Sequence, residues 1–312
     1  MADDITIFTA RAQREQGRGK RLERAADRGE LARIRQGAYV ERTTADAAEP
    51  LALHRARIAA TRLAARHEPI FSHESAAALH GIPLIGDWPR RAHTTTTGRA
   101  PSSGAVQRTV RALAPEDWGT LPRGERATTP VRTAIDLAAS RSLLSGIVAI
   151  SHVRATGVGL EEFEAVLARA GRFPGLRRAR LALARSTADA ESVLECLIVV
   201  RCQDYGFVLP EQQREVVGVD GITYRVDFAW ERGEILGEGD GRDKYEDPAK
   251  LGGRSPTDAL WAEKRREDAL RPCCRAFIRI GWGDAWGGHG LARRLISAGV
   301  PRPERRLAGL TF

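Results

Sequence analysis

The sequence predicts an α/β protein with two or three domains, and three observations support this expectation. The chain has 312 residues, which is more than one hydrophobic core usually organises. Apolar residues make up 42% and charged residues 29% of it, as is typical of globular proteins. Stretches with apolar residues at helical spacing follow stretches of strand-like alternation along the chain.

The chain carries a formal net charge of +9, from 49 Lys and Arg against 40 Asp and Glu. This excess favours a polyanionic partner such as nucleic acid. Judged on charge alone, a protein that binds no nucleic acid is an equally good interpretation. No apolar run has the length of a membrane span and the N-terminus lacks the pattern of a secretion signal, so we expect a cytoplasmic protein with no membrane partner. The four cysteines lack the spacing of a zinc site and are expected to be buried thiols: Cys196, Cys202, Cys273 and Cys274.

Residues 1–45 are predicted to form a winged helix-turn-helix. A first helix ends at the Gly17–Gly19 break, "KRLERAADRG" gives a second helix, and "ELARIRQGAYVER" alternates around a turn at Gln36-Gly37 as a β-hairpin does. In such a domain the second helix enters a DNA groove and the hairpin touches phosphates. The alternative is a small helical lid with solvated arginines. The residues predicted to contact DNA are Arg18, Lys20, Arg21, Arg24, Arg33 and Arg35.

Residues 46–168 are predicted to be a mixed α/β middle region without a catalytic set. His73 and His80 can share a helix face, but two histidines alone favour a structural role over a metal site. Residues 169–186 carry six arginines and no acid. We predict a basic linker helix there, either solvated or in contact with a DNA backbone.

Residues 187–290 are predicted to form an α/β domain with element order α-β-β-β-α-β and a mixed sheet, followed by a basic tail over 291–312. Within it, a turn at Arg232-Gly233 places Asp227 directly opposite Glu238 on neighbouring strands. Carboxylates so placed lie about 4.5–5.5 Å apart at Cβ and repel each other. Either one of them is protonated or a cation bridges them.

A bridging Mg²⁺ would account for this acidic pair, because Mg²⁺ binds carboxylates together with phosphate oxygens, as in metal-dependent phosphodiesterases. Lys244 would then stabilise charge on the phosphate. Glu191, expected on the preceding helix, would supply a third carboxylate. Asp240 is a further catalytic candidate, although a cross-strand salt bridge with Arg225 is its favoured role. The alternative for the whole hairpin is an exposed sheet face with solvated acids. The glycines on either side of Glu238 argue against that alternative, because they allow close approach of a ligand or another backbone.

A family resemblance is carried by six segments in order over residues 187–288: "AESVLE", "PEQQ", "YRVDFAW", "LGEGDGRDKYED", "WAEKRREDALR" and "IRIGW". They resemble a bacterial domain related to the very-short-patch repair endonucleases, within the PD-(D/E)XK, or restriction-endonuclease-like, superfamily. The resemblance implies a nuclease that uses Mg²⁺, with Mn²⁺ as a substitute. It assigns the superfamily's first acid to Asp227, the second to Glu238 and the helix glutamate to Glu191. Asp240 occupies the lysine position of the E-x-K motif, and Lys244 matches a lysine that follows it in related sequences.

The segments "GKRLERAADRGELARIRQGAYV", "FSHESAAALHGIPL" and "TTPVRTAIDLAAS" resemble actinobacterial proteins with an AbiEi-like antitoxin winged helix. This implies DNA binding by residues 1–45 and allows a cognate toxin as a partner. Two functions follow from the sequence. One is a Mg²⁺-dependent DNA endonuclease targeted by a winged helix. The other is a DNA-binding regulator, of the type IV toxin–antitoxin kind, whose nuclease-like domain is inactive. A purely structural or partner-binding module is the third alternative.

Overall fold

The computed structural model describes residues 5–15, 20–98, 102, 104–240 and 255–303. The chain divides into two compact units, Met1–Ser186 and Thr187–Phe312. Both contain helices and sheets, so the predicted α/β class is confirmed. Over the described ranges, no helix is both long and apolar enough to cross a membrane.

The first unit begins with a small antiparallel sheet and two short helices. Its strand order is β1-β3-β2, and α1 and α2 lie between β1 and β2 in the chain. The predicted hairpin turn at Gln36-Gly37 is confirmed, and Gly37 supplies the positive φ of +76° that the turn requires. The predicted break at Gly17–Gly19 lies outside the described residues. The bounds are β1 Phe8–Thr9, α1 Ala10–Glu15, α2 Arg21–Asp27, β2 Leu31–Arg35 and β3 Ala38–Glu41.

This sheet shares its core with the next part of the chain. Two further helices follow it, α3 Arg42–Ala47 and α4 Pro50–Ala64. Ile34 and Val40 of the hairpin pack in one buried cluster with Ala56 and Ala60 of α4. The predicted boundary near residue 45 therefore does not separate two cores.

The remainder of the first unit is a five-stranded sheet covered by helices, with strand order β6-β5-β4-β8-β7. The strands are β4 Ile70–Phe71, β5 Ala92–Thr96, β6 Val106–Val110, β7 Trp118–Thr120 and β8 Arg126–Thr128. The helices are α5 His73–His80, α6 Pro130–Ser140, α7 Leu143–Arg154, α8 Leu160–Ala170 and α9 Leu176–Arg185.

The segment predicted as a basic linker helix is an integral part of this unit. Helix α9 buries Ala179, Ala182 and Leu183, which recur at helical spacing and pack into the core. Arg178 donates hydrogen bonds to the carbonyl oxygens at the end of α6, at Ala138 and Ala139. The predicted helix is confirmed, but it packs within the first unit and is not a separate linker, because its apolar stripe decides where it lies.

Over its described residues, 187–240 and 255–303, the second unit has the predicted element order α-β-β-β-α-β, and two short helices follow. Its sheet has the order β12-β11-β10-β9, with β11 parallel to β12 and the other pairs antiparallel. The predicted mixed sheet is thus confirmed. The elements are α10 Val193–Tyr205, β9 Glu211–Val217, β10 Thr223–Trp230, β11 Ile235–Asp240, α11 Pro256–Leu270, β12 Ala276–Gly281, α12 Trp282–Gly287 and α13 His289–Ser297.

Two expectations for this unit need correction. The predicted tail over 291–312 begins inside α13, which buries Leu291 and Leu295, so the folded unit continues past residue 290. Of the four cysteines, Cys196 and Cys202 are buried as predicted. Cys273 is exposed and Cys274 half-buried, because both lie in the turn that ends α11 and not within a packed helix face.

Candidate acidic site

The β10–β11 hairpin has the predicted register. Phe228 lies opposite Gly237, Ala229 opposite Leu236 and Trp230 opposite Ile235. Continued by one pair beyond Phe228 and Gly237, this register sets Asp227 across from Glu238. The left-handed backbone of Arg232 and Gly233, with φ of 60° and 99°, closes the turn and fixes this alignment.

Asp227 lies beside a second carboxylate, that of Glu195 on α10. The Asp227 Oδ2 atom accepts a 2.8 Å hydrogen bond from the Gly239 amide. A Cβ atom added to Gly239 would lie 3.6 Å from Asp227 Oδ2 and 3.7 Å from Glu195 Cγ. Asp227 and the side chain of Glu195 therefore both lie next to Gly239, and the distances leave ordinary van der Waals room for a side-chain carbon there.

Glu195 is held by the cap of its helix. Ser192 is the N-cap: its Oγ accepts from the Glu195 amide at 3.1 Å and donates to Glu195 Oε1 at 2.7 Å. Glu195 Oε2 accepts from the Glu191 amide at 2.9 Å, in the manner of a capping box. Burial is the main cause that raises the pKa of Glu195, and the charge of Asp227 raises it further. The sequence reasoning missed Glu195, although the Ser192-x-x-Glu195 pattern before an apolar run signals such a cap.

Glu191 is not on the helix, contrary to the prediction. Because Ser192 caps α10, Glu191 lies ahead of the helix, where its exposed carboxylate forms a 2.7 Å ion pair with Arg225. The expected salt bridge between Arg225 and Asp240 is replaced by two others. The Asp240 Oδ2 atom instead lies 3.5 Å from the Nε atom of Arg279 on β12.

Glu238 is only 4% exposed and its charge is compensated. Its Oε1 atom forms a 2.7 Å ion pair with Arg266 of α11, and Arg266 also donates to the Arg225 carbonyl. The repulsion expected between Asp227 and Glu238 is thus relieved by a guanidinium for one acid and a backbone amide for the other.

Arg279 is a second guanidinium at this end of the sheet. It lies next to Glu238 in the parallel register of β11 and β12, and it binds Glu267 at 3.0 Å as well as Glu263. Burial lowers its pKa, but the hydrogen bond and charge of Glu263 outweigh burial, and the pKa is raised. The acidic residues of β11 therefore lie among fixed positive charges supplied by β12 and α11.

Gln213 on β9 completes the surroundings of Glu195. Its Nε2 atom donates to Glu195 Oε2 at 2.9 Å. Its position in the strand pairing falls opposite Asp227, between the pairs Val226–Arg214 and Phe228–Gln212. Gln213 has a positive φ of 54°, which is unfavourable for a residue with a side chain. Such backbone strain is concentrated at functional sites.

The oxygen donors of this site suit a hard cation only in part. Asp227 lies near Glu195, whose two carboxylate oxygens already accept hydrogen bonds, and Glu238 is paired with Arg266. Over the described part of the chain, no group of three His, Cys, Asp or Glu side chains is arranged to hold a metal ion. Lys244 lies outside the described residues.

Four of the basic residues predicted to contact DNA are exposed on the first unit: Lys20, Arg21, Arg24 and Arg33. Helix α2 turns Leu22 and Ala25 toward the core, which leaves its charged face to solvent. Arg35 is different. It is half-buried and its Nη1 atom donates to the Ala60 carbonyl at 2.7 Å, because α4 packs against this end of the hairpin. Arg18 lies outside the described residues.

His73 and His80, predicted to be structural, are both engaged within the first unit. The His73 ring stacks on His93 with centroids 3.8 Å apart, and His80 bonds the Thr128 carbonyl at 2.7 Å. Neither histidine forms part of the acidic site, which lies entirely in the second unit.

Comparisons with known proteins give limited similarity, and no family model matches the chain. Over 132 residues it is 31% identical to the uncharacterized proteins MT2308 and Rv2248 from two strains of Mycobacterium tuberculosis. The match covers 41% of this chain and 48% of each relative, so the chain spans about half the length of these relatives. The crystal structure of the RV2827C protein from Mycobacterium tuberculosis aligns with a TM-score of 0.36 and 16% identity, over 58% of this chain and 72% of that chain. Similarity at this level does not establish a shared fold.

Proposed function

We propose that this protein is a Mg²⁺-dependent DNA endonuclease whose acidic site lies in the second unit and whose first unit binds DNA. The observation that carries the proposal is the proximity of three acids: Asp227 lies close enough to Glu195 for its charge to raise the Glu195 pKa, and the hairpin register sets Glu238 across from Asp227. This arrangement, on a mixed sheet with a helix N-terminus beside it, supports the PD-(D/E)XK resemblance of the sequence.

Asp227 and Glu238 are the residues that would hold the cation, with Glu195 beside them. A bound Mg²⁺ would act as a Lewis acid on the phosphodiester. Glu238 can take part only when Arg266 leaves it, so we expect the approach of a phosphate to draw Arg266 away. Arg266 would then stabilise phosphate charge, the role that the resemblance gives to a lysine.

Glu195 suits proton transfer or the orientation of a water molecule. Its raised pKa lies closer to neutrality than that of an ordinary glutamate, which improves a carboxylate as a proton acceptor. The cap of α10 and the Gln213 amide fix its orientation. Its place in the helix makes it a better candidate for the superfamily's helix glutamate than Glu191.

The first unit would supply DNA affinity through the exposed cations of α2 and β2. Its order, strand–helix–helix–hairpin with a β1-β3-β2 sheet, is compatible with a winged helix-turn-helix. Contacts from Lys20, Arg21, Arg24 and Arg33 to phosphates would make binding fall as salt concentration rises.

A second candidate function is a DNA-binding regulator with an inactive nuclease-like unit, of the AbiEi antitoxin kind and with a cognate toxin as its partner. The Glu238–Arg266 ion pair favours it, because a carboxylate already neutralised by arginine has less need of a metal. The two candidates differ in cleavage and share DNA binding.

The deciding experiment incubates the purified protein with supercoiled and single-stranded DNA, with and without Mn²⁺ or Mg²⁺. The endonuclease predicts metal-dependent nicking that Asp227→Ala abolishes. Glu215→Ala is the matched control, since Glu215 is an exposed acid on the neighbouring strand β9. Salt-sensitive DNA binding without any cleavage by the intact protein would replace the endonuclease with the regulator.

A further inference from the structure

The first unit contains a cavity of about 680 Å³ that is separate from the acidic site. It is lined by the end of β2, the chain that follows α4, and residues of β4, β5, β6 and β7. Pockets that hold small molecules have volumes of roughly 300–1,000 Å³. The cavity is therefore large enough for a ligand of nucleotide size.

Three arginines line the cavity: Arg66, which is exposed, and Arg35 and Arg108, which are half-buried. Arg35 uses its Nη1 atom on the Ala60 carbonyl, but its Nε atom is buried and has no acceptor in the described part of the chain. A buried donor without an acceptor is unfavourable, because it has lost its hydrogen bonds to water. A ligand oxygen at this point would remove that cost.

The guanidiniums of Arg35 and Arg108 are close enough for the charge of one to affect the pKa of the other. Burial lowers the pKa of Arg35, and the positive charge of Arg108 lowers it further. Glu68, the one carboxylate among the lining residues, forms a 2.7 Å ion pair with Arg62. The cavity therefore has an excess of positive charge beside a buried N–H donor.

The rest of the lining is mixed in chemistry. Thr94–Thr97 contribute hydroxyls from β5 and its end, while Ile70, Leu113 and Trp118 contribute apolar surface. Guanidiniums bind phosphate oxygens in a bidentate manner, and a flat indole is suited to stack on an aromatic base. This combination matches a molecule with one anionic end and one planar apolar end.

We propose that this cavity binds a nucleoside monophosphate group, with its phosphate at Arg35 and Arg108 and its base against the apolar lining. The group has two sources with the same chemistry: a free nucleotide, or the 5′-phosphorylated end of a nucleic-acid strand. Binding here is independent of the acidic site and does not require the protein to cut DNA.

Isothermal titration calorimetry of the full chain tests the proposal with adenosine, guanosine, cytidine and uridine monophosphates, each beside its nucleoside. We expect at least one monophosphate to bind while its nucleoside does not. Arg108→Ala should weaken binding at least tenfold, and Arg35→Gln, which keeps polar atoms near Ala60, should weaken it as well. Arg180→Ala is the control, because Arg180 is exposed on α9 and outside the lining. Thermal unfolding of each variant shows whether the unit is still folded.

Competition with a 5′-phosphorylated oligonucleotide and its unphosphorylated twin separates the two sources. Displacement of the monophosphate by the phosphorylated strand alone would assign the cavity to strand ends, and displacement by neither would assign it to free nucleotides. The proposal is overturned if no monophosphate binds, if nucleosides bind equally well, or if Arg108→Ala binds like the unaltered protein.

Discussion

Glu74 in the first unit and Glu195 in the second unit are matched in burial and differ in environment. Each lies in the first turn of a helix and each is 8% exposed. Burial by itself would raise the pKa of each of these two carboxyl groups. At Glu74 the hydrogen bond and charge of His93 and the charge of Arg141 outweigh burial, and the pKa lies well below its usual range. At Glu195 the neighbouring Asp227 adds to burial, and the pKa is raised.

This contrast separates a structural acid from a candidate catalytic one. Glu74 accepts a hydrogen bond from Arg141 Nε at 2.6 Å, and its other carboxylate oxygen lies 3.1 Å from His93 Nδ1. Its negative charge is therefore compensated by partners inside the fold. Glu195 is bound by neutral donors and lies beside another carboxylate. Burial therefore does not identify a functional acid, whereas the sign of the charges around it does.

The largest expected effect is the loss of stability on removing the structural acid. Glu74→Ala leaves Arg141 and His93 without their partner, and we expect the first unit to lose about 3–5 kcal/mol of unfolding free energy. Glu195→Gln should change the second unit by about 1 kcal/mol or less, since it also removes repulsion with Asp227. Urea denaturation measures both, and equal losses would contradict the contrast.

The contributions of His73 and Glu195 to the pH dependence of stability should have opposite signs. Burial lowers the pKa of His73 from 6.5 to about 4, so its contribution to stability is lost as pH falls from 6.5 toward 4. This shift corresponds to on the order of 3 kcal/mol. Glu195 has a raised pKa, so its contribution is present below pH 4.5 and is lost as pH rises through its folded pKa.

Calorimetric unfolding between pH 4 and 8 separates the two effects. His73→Gln should reduce the loss of stability that the first unit shows as pH falls. His67→Gln serves as the control, because His67 is exposed. A first-unit transition that is equally stable at pH 4.5 and 7 would refute the assignment of His73 as a buried neutral group.

A smaller effect is expected for DNA affinity. The slope of log affinity against log salt concentration is negative. Arg21→Ala combined with Arg24→Ala should reduce its magnitude by about 1.8, if each arginine contacts one phosphate. Arg91→Ala, another exposed arginine of the first unit, should leave the slope unchanged. Fluorescence anisotropy with a labelled duplex gives the slopes, and an unaltered slope in the double variant would exclude α2 from the DNA contact.

The smallest stability effect is expected at Gln213. Glycine relieves its positive φ but removes the donor to Glu195, so Gln213→Gly should alter unfolding free energy by about 1 kcal/mol or less. If the acidic site is catalytic, cleavage should fall far more than stability. A parallel loss of both would indicate that Gln213 acts only in folding.

Local patterns in the sequence determined much of the fold and part of the site. The register of Asp227 and Glu238 followed from the turn at Arg232-Gly233, because a short hairpin fixes its own pairing. The contacts that define the site are non-local. Arg266 reaches Glu238 from α11, and Glu195 meets Asp227 only when α10 packs on the sheet.

The position of Arg35 in the hairpin is visible in the sequence, whereas the packing of α4 against it is not. The helical pattern alone includes Glu191 in α10, whereas the N-cap at Ser192 begins the helix after it. Strand pairing and capping are local, while the direction of a long charged side chain depends on the partner that tertiary packing brings to it.

Whether Asp227 and its neighbours hold a divalent cation is tested most directly by a Mn²⁺ titration in which electron paramagnetic resonance measures the free ion. The endonuclease account predicts that the intact protein removes free Mn²⁺ from solution at one site per chain. Asp227→Ala should lose this site and Glu215→Ala should keep it. Binding that is absent from the intact protein, or unchanged by Asp227→Ala, would contradict the account.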